Sequence, residues 1–223
     1  MTFRRAVVAL LLSVSLCTSI AFSQAATAQT QTAPRETSKP YSGNLSIFEY
    51  PDRDKKLQID RVMDLLGIMA GKNVGDIGAG SGWFTVRASK RVGAAGVVLA
   101  EDINPQAIEY IGKRVLKENL TNIKTVLGRP DDPLLPGGSV DAVLLLKVYH
   151  EIAHPVDFMK KLRPALREGG KIGIIDKNGN GANHGINHDV VEREMGEAGF
   201  KLVSTYDFTK ADGQDYFMIF VAK

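Results

Sequence analysis

Three groups of residues in this 223-residue chain have types and spacings that could do chemistry. The first is Asp76-Ile-Gly78-Ala-Gly80-Ser-Gly82, an acid followed by glycines alternating with small residues. Glycine tolerates positive φ and lets the backbone approach a ligand with no Cβ in the way. A helix beginning directly afterwards, from Trp83, turns free N–H groups toward the bend. The second group is Asp102, 24 residues after Gly78. A carboxylate is acceptor-only and can take two O–H donors, and an acid about 20 residues past a glycine turn suits ribose hydroxyls. The third is Lys147-Val-Tyr149-His150-Glu151, after an apolar run. His150 could act as a base, its ordinary pKa being about 6.5, and Glu151 could orient it or take the proton itself. The plainer alternatives are a glycine turn closing an ordinary α/β unit, Asp102 capping a helix, and Tyr149 to Glu151 only shaping a pocket.

The elements that must position these groups alternate along the chain. Residues 52–69 carry Leu57, Ile59, Val62, Leu65, Leu66 and Met69 at helical spacing, which predicts one helix ending before Gly71. Tyr50 to Arg53 just ahead of it could line the pocket. Val74 to Ile77 reads as the first strand, and Val97 to Ala100 as the second. Asn104-Pro105 opens a helix, with Asn as N-cap and Pro in the first turn. Ile123 to Val126 is a third strand. Val140 to Leu146 is continuously apolar, as for a strand buried on both faces. Val156 to Leu166 is amphipathic, and Ile172 to Ile175 is a fifth strand. The polar, glycine-rich stretch 177–188 reads as a mobile loop. A helix over 189–198 and strands over 201–208 and 215–221 complete the chain. Strands alternating with helices predict a doubly wound α/β sheet, whose ligands bind at the carboxyl ends of the strands where strand order reverses.

The nearest rival for the glycine run is the dinucleotide fingerprint Gly-x-Gly-x-x-Gly, whose third glycine would fall at Trp83, a poor fit to tight helix–strand packing. With the acid at 76, the glycine at 82 and Asp102, the run instead resembles the first motif of class I S-adenosylmethionine-dependent methyltransferases. The resemblance extends over about residues 50–223, through Asp131-Asp132-Pro, Tyr149-His-Glu151 and Glu168-Gly-Gly170, and points to a bacterial, exported branch with unassigned substrates. It implies a mostly parallel seven-stranded sheet with helices on both faces and an antiparallel last strand. It also implies S-adenosyl-L-methionine as cofactor, held by Asp76, Gly78, Gly80, Gly82, Asp102 and Ile103, with Asp131 or Asp132, preferentially Asp132, at the adenine amino group. His150 and Glu151 are the candidate catalytic residues, and the acceptor is a small molecule or a protein. The chain departs from the family at Gly75, where a strand residue with a side chain is usual, and at Lys147, where relatives carry an acid or polar residue. A second reading is a non-catalytic exported protein that binds an adenosyl ligand or a partner; a dehydrogenase is a third.

His150, Glu151, His184 and His188 could together make a metal site, but no HExxH or cysteine spacing supports one, and no metal is expected. The 28 basic and 25 acidic residues leave little net charge and no footprint for nucleic acid. Arg4-Arg5, an apolar run from Ala6 to Leu16 and Ala26-Thr-Ala28 have the form of a secretory signal peptide, with cleavage after Ala25 as a rival and an uncleaved anchor as the alternative. Arg4-Arg5 also loosely resembles a twin-arginine export signal. The expected organisation is a signal peptide at 1–28, a linker at 29–49 and the catalytic domain at 50–223, periplasmic or secreted, with membrane contact only during export. Cys17, the single cysteine, falls in the signal segment, so the mature chain would need no disulfide.

Overall fold

The apolar run Val140–Leu146, strand β4, forms the middle of a seven-stranded sheet in the computed structural model, which describes residues 34–37, 41 and 43–223. The signal segment at 1–28 lies outside those residues. Strand order is β3-β2-β1-β4-β5-β7-β6, with β1 Val74–Ile77, β2 Val98–Asp102, β3 Ile123–Leu127, β5 Leu166–Asp176, β6 Phe200–Tyr206 and β7 Tyr216–Ala222. β1 to β5 pair in parallel, and β7 runs antiparallel to both β5 and β6. Order reverses between β1 and β4, so a crevice opens at their carboxyl ends.

Side chains alternate across the sheet and feed two cores. Val143 and Leu145 of β4 pack with Ile172, Ile174, Met218 and Phe220 against helices α5 (Pro155–Leu162) and α6 (His188–Glu197). Ala142 and Leu144 face the other way, with Ile175, Phe217 and Ile219, toward helices α2 (Ile59–Leu66) and α3 (Trp83–Val92). Helix α4, Pro105–Lys117, follows β2 and is capped by Asn104, whose side chain accepts from the Gln106 N–H. Gly75 has a packing reason: a Cβ there would sit 3.2 Å from Val143 and 3.3 Å from Leu135, so a larger residue would press on this core.

Three expectations change. The helix over 52–69 is two helices, α1 Arg53–Leu57 and α2, broken where Gln58 takes the left-handed conformation at φ 51°. Residues 45–49, assigned to the linker, form a 3-10 helix with Leu45 buried, because Leu45 and Phe48 have the crevice to pack into. Segment 177–188 is stitched rather than loose: the Ile186 N–H donates to Lys177 O at 2.8 Å, the Asn187 N–H to Gly179 O at 3.0 Å, and Asn180 bridges Ile186. Among the described residues no helix is long and apolar enough to cross a membrane.

Candidate active site

The turn after β1 is built by three left-handed glycines, Gly78 (φ 65°), Gly80 (φ 55°) and Gly82 (φ 70°). The Gly80 N–H donates to Asp102 Oδ2 at 2.8 Å, and the Asn104 N–H to Asp102 Oδ1 at 2.8 Å. Asp102 is thereby fixed at the end of β2, with an acceptor site on each oxygen left over for a ligand. Glu101, on the other side of the strand, accepts from the Gly78 N–H at 3.3 Å. Asp76 is fully buried and accepts from the Thr85 hydroxyl. Burial pushes the Asp76 carboxyl up to about 7 and that of Glu101 to about 8, and it raises Asp102.

These residues line a cavity of about 660 Å³. There Arg53, buried and in the field of Asp76, stacks over the Trp83 ring at 4.3 Å. Its Nη1 donates to Phe48 O at 2.6 Å, but its Nε is buried with no hydrogen-bond partner. A buried guanidinium with an unused donor beside a carboxylate suits a group that is both anionic and cationic, such as the carboxylate and ammonium of an amino acid. Asp102 suits a vicinal diol, and Ile103 and Pro130 add apolar surface to the lining of the same cavity.

The opposite wall comes from the 3-10 helix Tyr149–Glu151, directly after β4, and from the end of β5. His150 is buried, and its Nδ1 lies 2.8 Å from Asp176 Oδ2 and 3.0 Å from Oδ1. A carboxylate can only accept, so Nδ1 carries a proton and donates to Asp176. The His150 Nε2 is buried with no hydrogen-bond partner and lies 3.7 Å from Glu151 Oε1. Burial pushes the Glu151 carboxyl up to about 7, helped by Asp176 and Asp102 and opposed by His150. His184 reaches the same place, its Nδ1 lying 3.9 Å from Glu151 Oε1. Lys147 also lines the cavity, with a left-handed backbone at φ 62°; burial lowers its pKa.

Of the residues expected from sequence, Asp76, Gly78, Gly80, Asp102, Ile103, His150 and Glu151 meet on this one cavity. Gly82 does not line it; it starts α3. Asp132 is also off the wall: its carboxylate accepts from the Leu134 N–H at 2.9 Å and its backbone pairs with Arg129. Asp131 turns outward to Lys161. Neither acid lines the cavity, where Pro130 stands instead, although the Asp132 carboxylate is near enough to act on Glu101. Tyr149 points away, donating to Glu194 at 3.0 Å, and His188 bonds Asn178 at 3.2 Å. Sequence reasoning missed Asp176, the partner of His150, though it read the strand ending there. It also missed Phe48 and the roof ahead of it, where Thr37, Tyr41 and Leu45 line the cavity. Arg35 fastens that roof: its N–H donates to Ala153 O at 3.0 Å, and its guanidinium bonds Glu194 at 2.8 Å and the Tyr149 carbonyl.

Residues 74–170 match the family model described as "Methyltransferase domain". Over 115 residues the chain is 26% identical to the ubiquinone/menaquinone biosynthesis C-methyltransferase UbiE of Pseudomonas fluorescens (strain SBW25), covering 51% of this chain and 45% of that protein. It therefore spans less than half the length of that relative. Among solved structures, a SAM dependent methyltransferase from Aquifex aeolicus superposes with a TM-score of 0.73 at 22% identity, covering 80% of this chain and 97% of the other. The [4+2]-cyclase SpnF superposes with a TM-score of 0.64 at 11% identity, over 84% of this chain and 85% of its own. These structural likenesses show a shared fold.

Proposed function

We propose that the chain carries a class I S-adenosylmethionine-dependent methyltransferase domain, as its match over residues 74–170 supports, and that it moves the methyl group of S-adenosylmethionine to an acceptor held against His150 and Glu151. The observation that carries the reading is a pairing within one cavity. Asp102, which suits the diol, is tied to Gly80, and the unpartnered Arg53 Nε lies near Asp76. An adenosyl amino acid has a ribose diol and a zwitterionic tail, and this donor set fits both. When bound, the cofactor supplies a methyl carbon on a positively charged sulfur, which leaves with the S–C electron pair as a neutral thioether.

The protein's work is then alignment. The glycine turn holds one reactant by its backbone, and the His150–Glu151 wall holds the other. Fixing both in line removes several kcal/mol of the barrier, up to about 7–11 at best. Any proton the acceptor carries would pass to the His150–Glu151 wall. Phe48 and the roof at Thr37 and Tyr41 exclude water. The acceptor is a small molecule or a protein, met outside the cytosol if residues 1–28 act as an export signal.

Two measurements test this. Calorimetry should show S-adenosylhomocysteine binding that weakens roughly ten- to hundredfold in Asp102→Ala, the cost of hydrogen bonds to a charged group. Labelled methyl should then pass from the cofactor into a periplasmic extract. Absent or Asp102-independent binding would overturn the proposal. A second reading, a non-catalytic adenosyl-ligand-binding protein, draws on the fold's presence in SpnF, which is named for a cyclase rather than a methyltransferase. Tight, Asp102-dependent binding with no transfer to any extract component favours that second reading.

A further inference from the structure

On the acceptor wall, three potential ligand atoms converge from two segments of chain. His150 Nε2, a Glu151 carboxylate oxygen and a His184 ring nitrogen all lie within 4.8 Å of one another. The closest approaches are 3.7 Å from Glu151 to His150 and 3.9 Å from Glu151 to His184. Donor atoms around a tetrahedral zinc ion stand about 3.3 Å apart, given metal–ligand bonds of about 2.0–2.2 Å. A contraction of about half an ångström on each of those two edges brings the set toward that spacing.

Three features distinguish this cluster from a chance meeting of polar side chains. The Nε2 of His150 is buried with no hydrogen-bond partner, an arrangement that calls for an explanation. Its Nδ1 is held by Asp176 at 2.8 Å, the carboxylate–histidine arrangement that fixes the tautomer and raises the basicity of a metal-binding nitrogen. His184 is held in the left-handed conformation at φ 59°, in a segment stitched by backbone bonds, and its ring stands edge-on to His150 at 5.8 Å. A non-glycine residue kept in that conformation is a strain that the surrounding segment must hold in place.

We infer that His150, Glu151 and His184 form a zinc-type divalent cation site, with its open position facing the acceptor. Two imidazoles and one carboxylate suit zinc and its transition-metal neighbours, whereas magnesium prefers an all-oxygen shell. Three protein ligands leave a fourth position for an oxygen of the acceptor. Gathered negative charge from Glu151, Asp176 and Asp102 favours a cation there. The inference rests on the proposed methyl transfer and specifies how its acceptor wall works. The ion takes a lone pair of an acceptor hydroxyl and lowers its pKa. With the ion in place His150 and Glu151 are occupied as ligands, so the O–H proton would pass to solvent instead, and the oxygen would bond to the methyl carbon as the S–C bond breaks and the neutral thioether leaves.

The test uses the full chain, stripped by chelator and titrated with zinc chloride against a chromophoric zinc indicator. One equivalent should bind, and cobalt(II) in its place should show the visible band of a tetrahedral N/O site. His184→Ala and Glu151→Gln should each weaken zinc binding more than roughly a hundredfold, while His188→Ala leaves it unchanged. His184 is exposed, with 63% of its side chain open to solvent, so its removal leaves the core intact. S-adenosylhomocysteine binding by calorimetry reports on the fold and on the cofactor reading in every variant. Substoichiometric zinc, or zinc binding indifferent to His184→Ala in chain that still binds S-adenosylhomocysteine, overturns the metal site alone. Loss of S-adenosylhomocysteine binding in the unaltered protein overturns the reading beneath it.

Discussion

Asp176 shows what a single side chain does here. It accepts from His150 Nδ1 at 2.8 Å, from the His150 N–H at 3.2 Å and from the Lys177 N–H at 2.9 Å. It thus aims the ring through both backbone and side chain. Asp176→Asn preserves shape but presents an amide that can hold the other tautomer. Methyl transfer and zinc affinity should each fall about ten- to hundredfold. S-adenosylhomocysteine affinity should stay the same, because Asp176 does not touch that end of the cavity. Equal losses in all three would instead mark a folding defect. The residue scale is also where sequence reading divides. Asp76, Gly78, Gly80 and Asp102 were legible because their chemistry is local: an acid, a bend and a second acid at fixed spacing. Asp176 was not, since it lies 26 residues from His150 and only the parallel pairing of β4 with β5 brings the two together. Arg53 was legible as a neighbour of the pocket, but its stacking on Trp83 was not. That Asp132 would be tied into a short Arg129–Asp132 bridge, off the cavity lining, was not legible, because that bridge leaves no mark on composition.

At the scale of elements, the turn between β1 and α3 carries the largest conformational demand. Gly78 sits at φ 65°, and a Cβ there would run into the side chain of Val148, next to the His150–Glu151 helix. Gly78→Ala should destabilise the chain by about 2–3 kcal/mol through clash and left-handed strain together. Adding Val148→Ala should recover the clash and leave about 1–2 kcal/mol of strain. Urea unfolding of the two variants measures this, and no recovery in the double variant would show that the clash is not the cost. Six strands were read to within two residues of their ends, but β5 was not: it begins at Leu166, six residues ahead of the apolar run that was read, because its first half is polar and glycine-rich. The break at Gln58 was not legible. Apolar spacing continues straight across it, and nothing in residue type there demands positive φ. The order within 177–188 was equally hidden, because asparagine and glycine serve a stitched segment as readily as a loose one.

Taken whole, the molecule concentrates buried carboxyls at one crevice, which ties its stability to pH. Asp76 is faced by Thr85 from α3, Asp102 from β2 and Arg53 from α1; Glu101 is faced by Asp102, Asp76 and Asp132 and by the Gly78 N–H. Both have folded pKa values raised above their ordinary ones, to about 7 and about 8. The folded chain therefore holds protons that the unfolded chain has released. Stability from this source is full below about pH 4 and is lost as pH rises through 7 to 8. Without ligand, the chain should be more stable at pH 5 than at pH 8, by roughly 2–3 kcal/mol from Asp76 alone. Asp76→Asn should flatten that slope in urea titrations at the two pH values; an unchanged slope would refute the assignment. The roof has another consequence. Arg35 is bonded to the Tyr149 carbonyl and to Glu194, so the segment that the proposed reaction would use as a cover is anchored beside His150. A protease clipping that stretch would leave the melting behaviour almost untouched and yield an enzyme open to hydrolytic leakage, intact by every bulk measure yet no longer able to keep its two guests from the surrounding water.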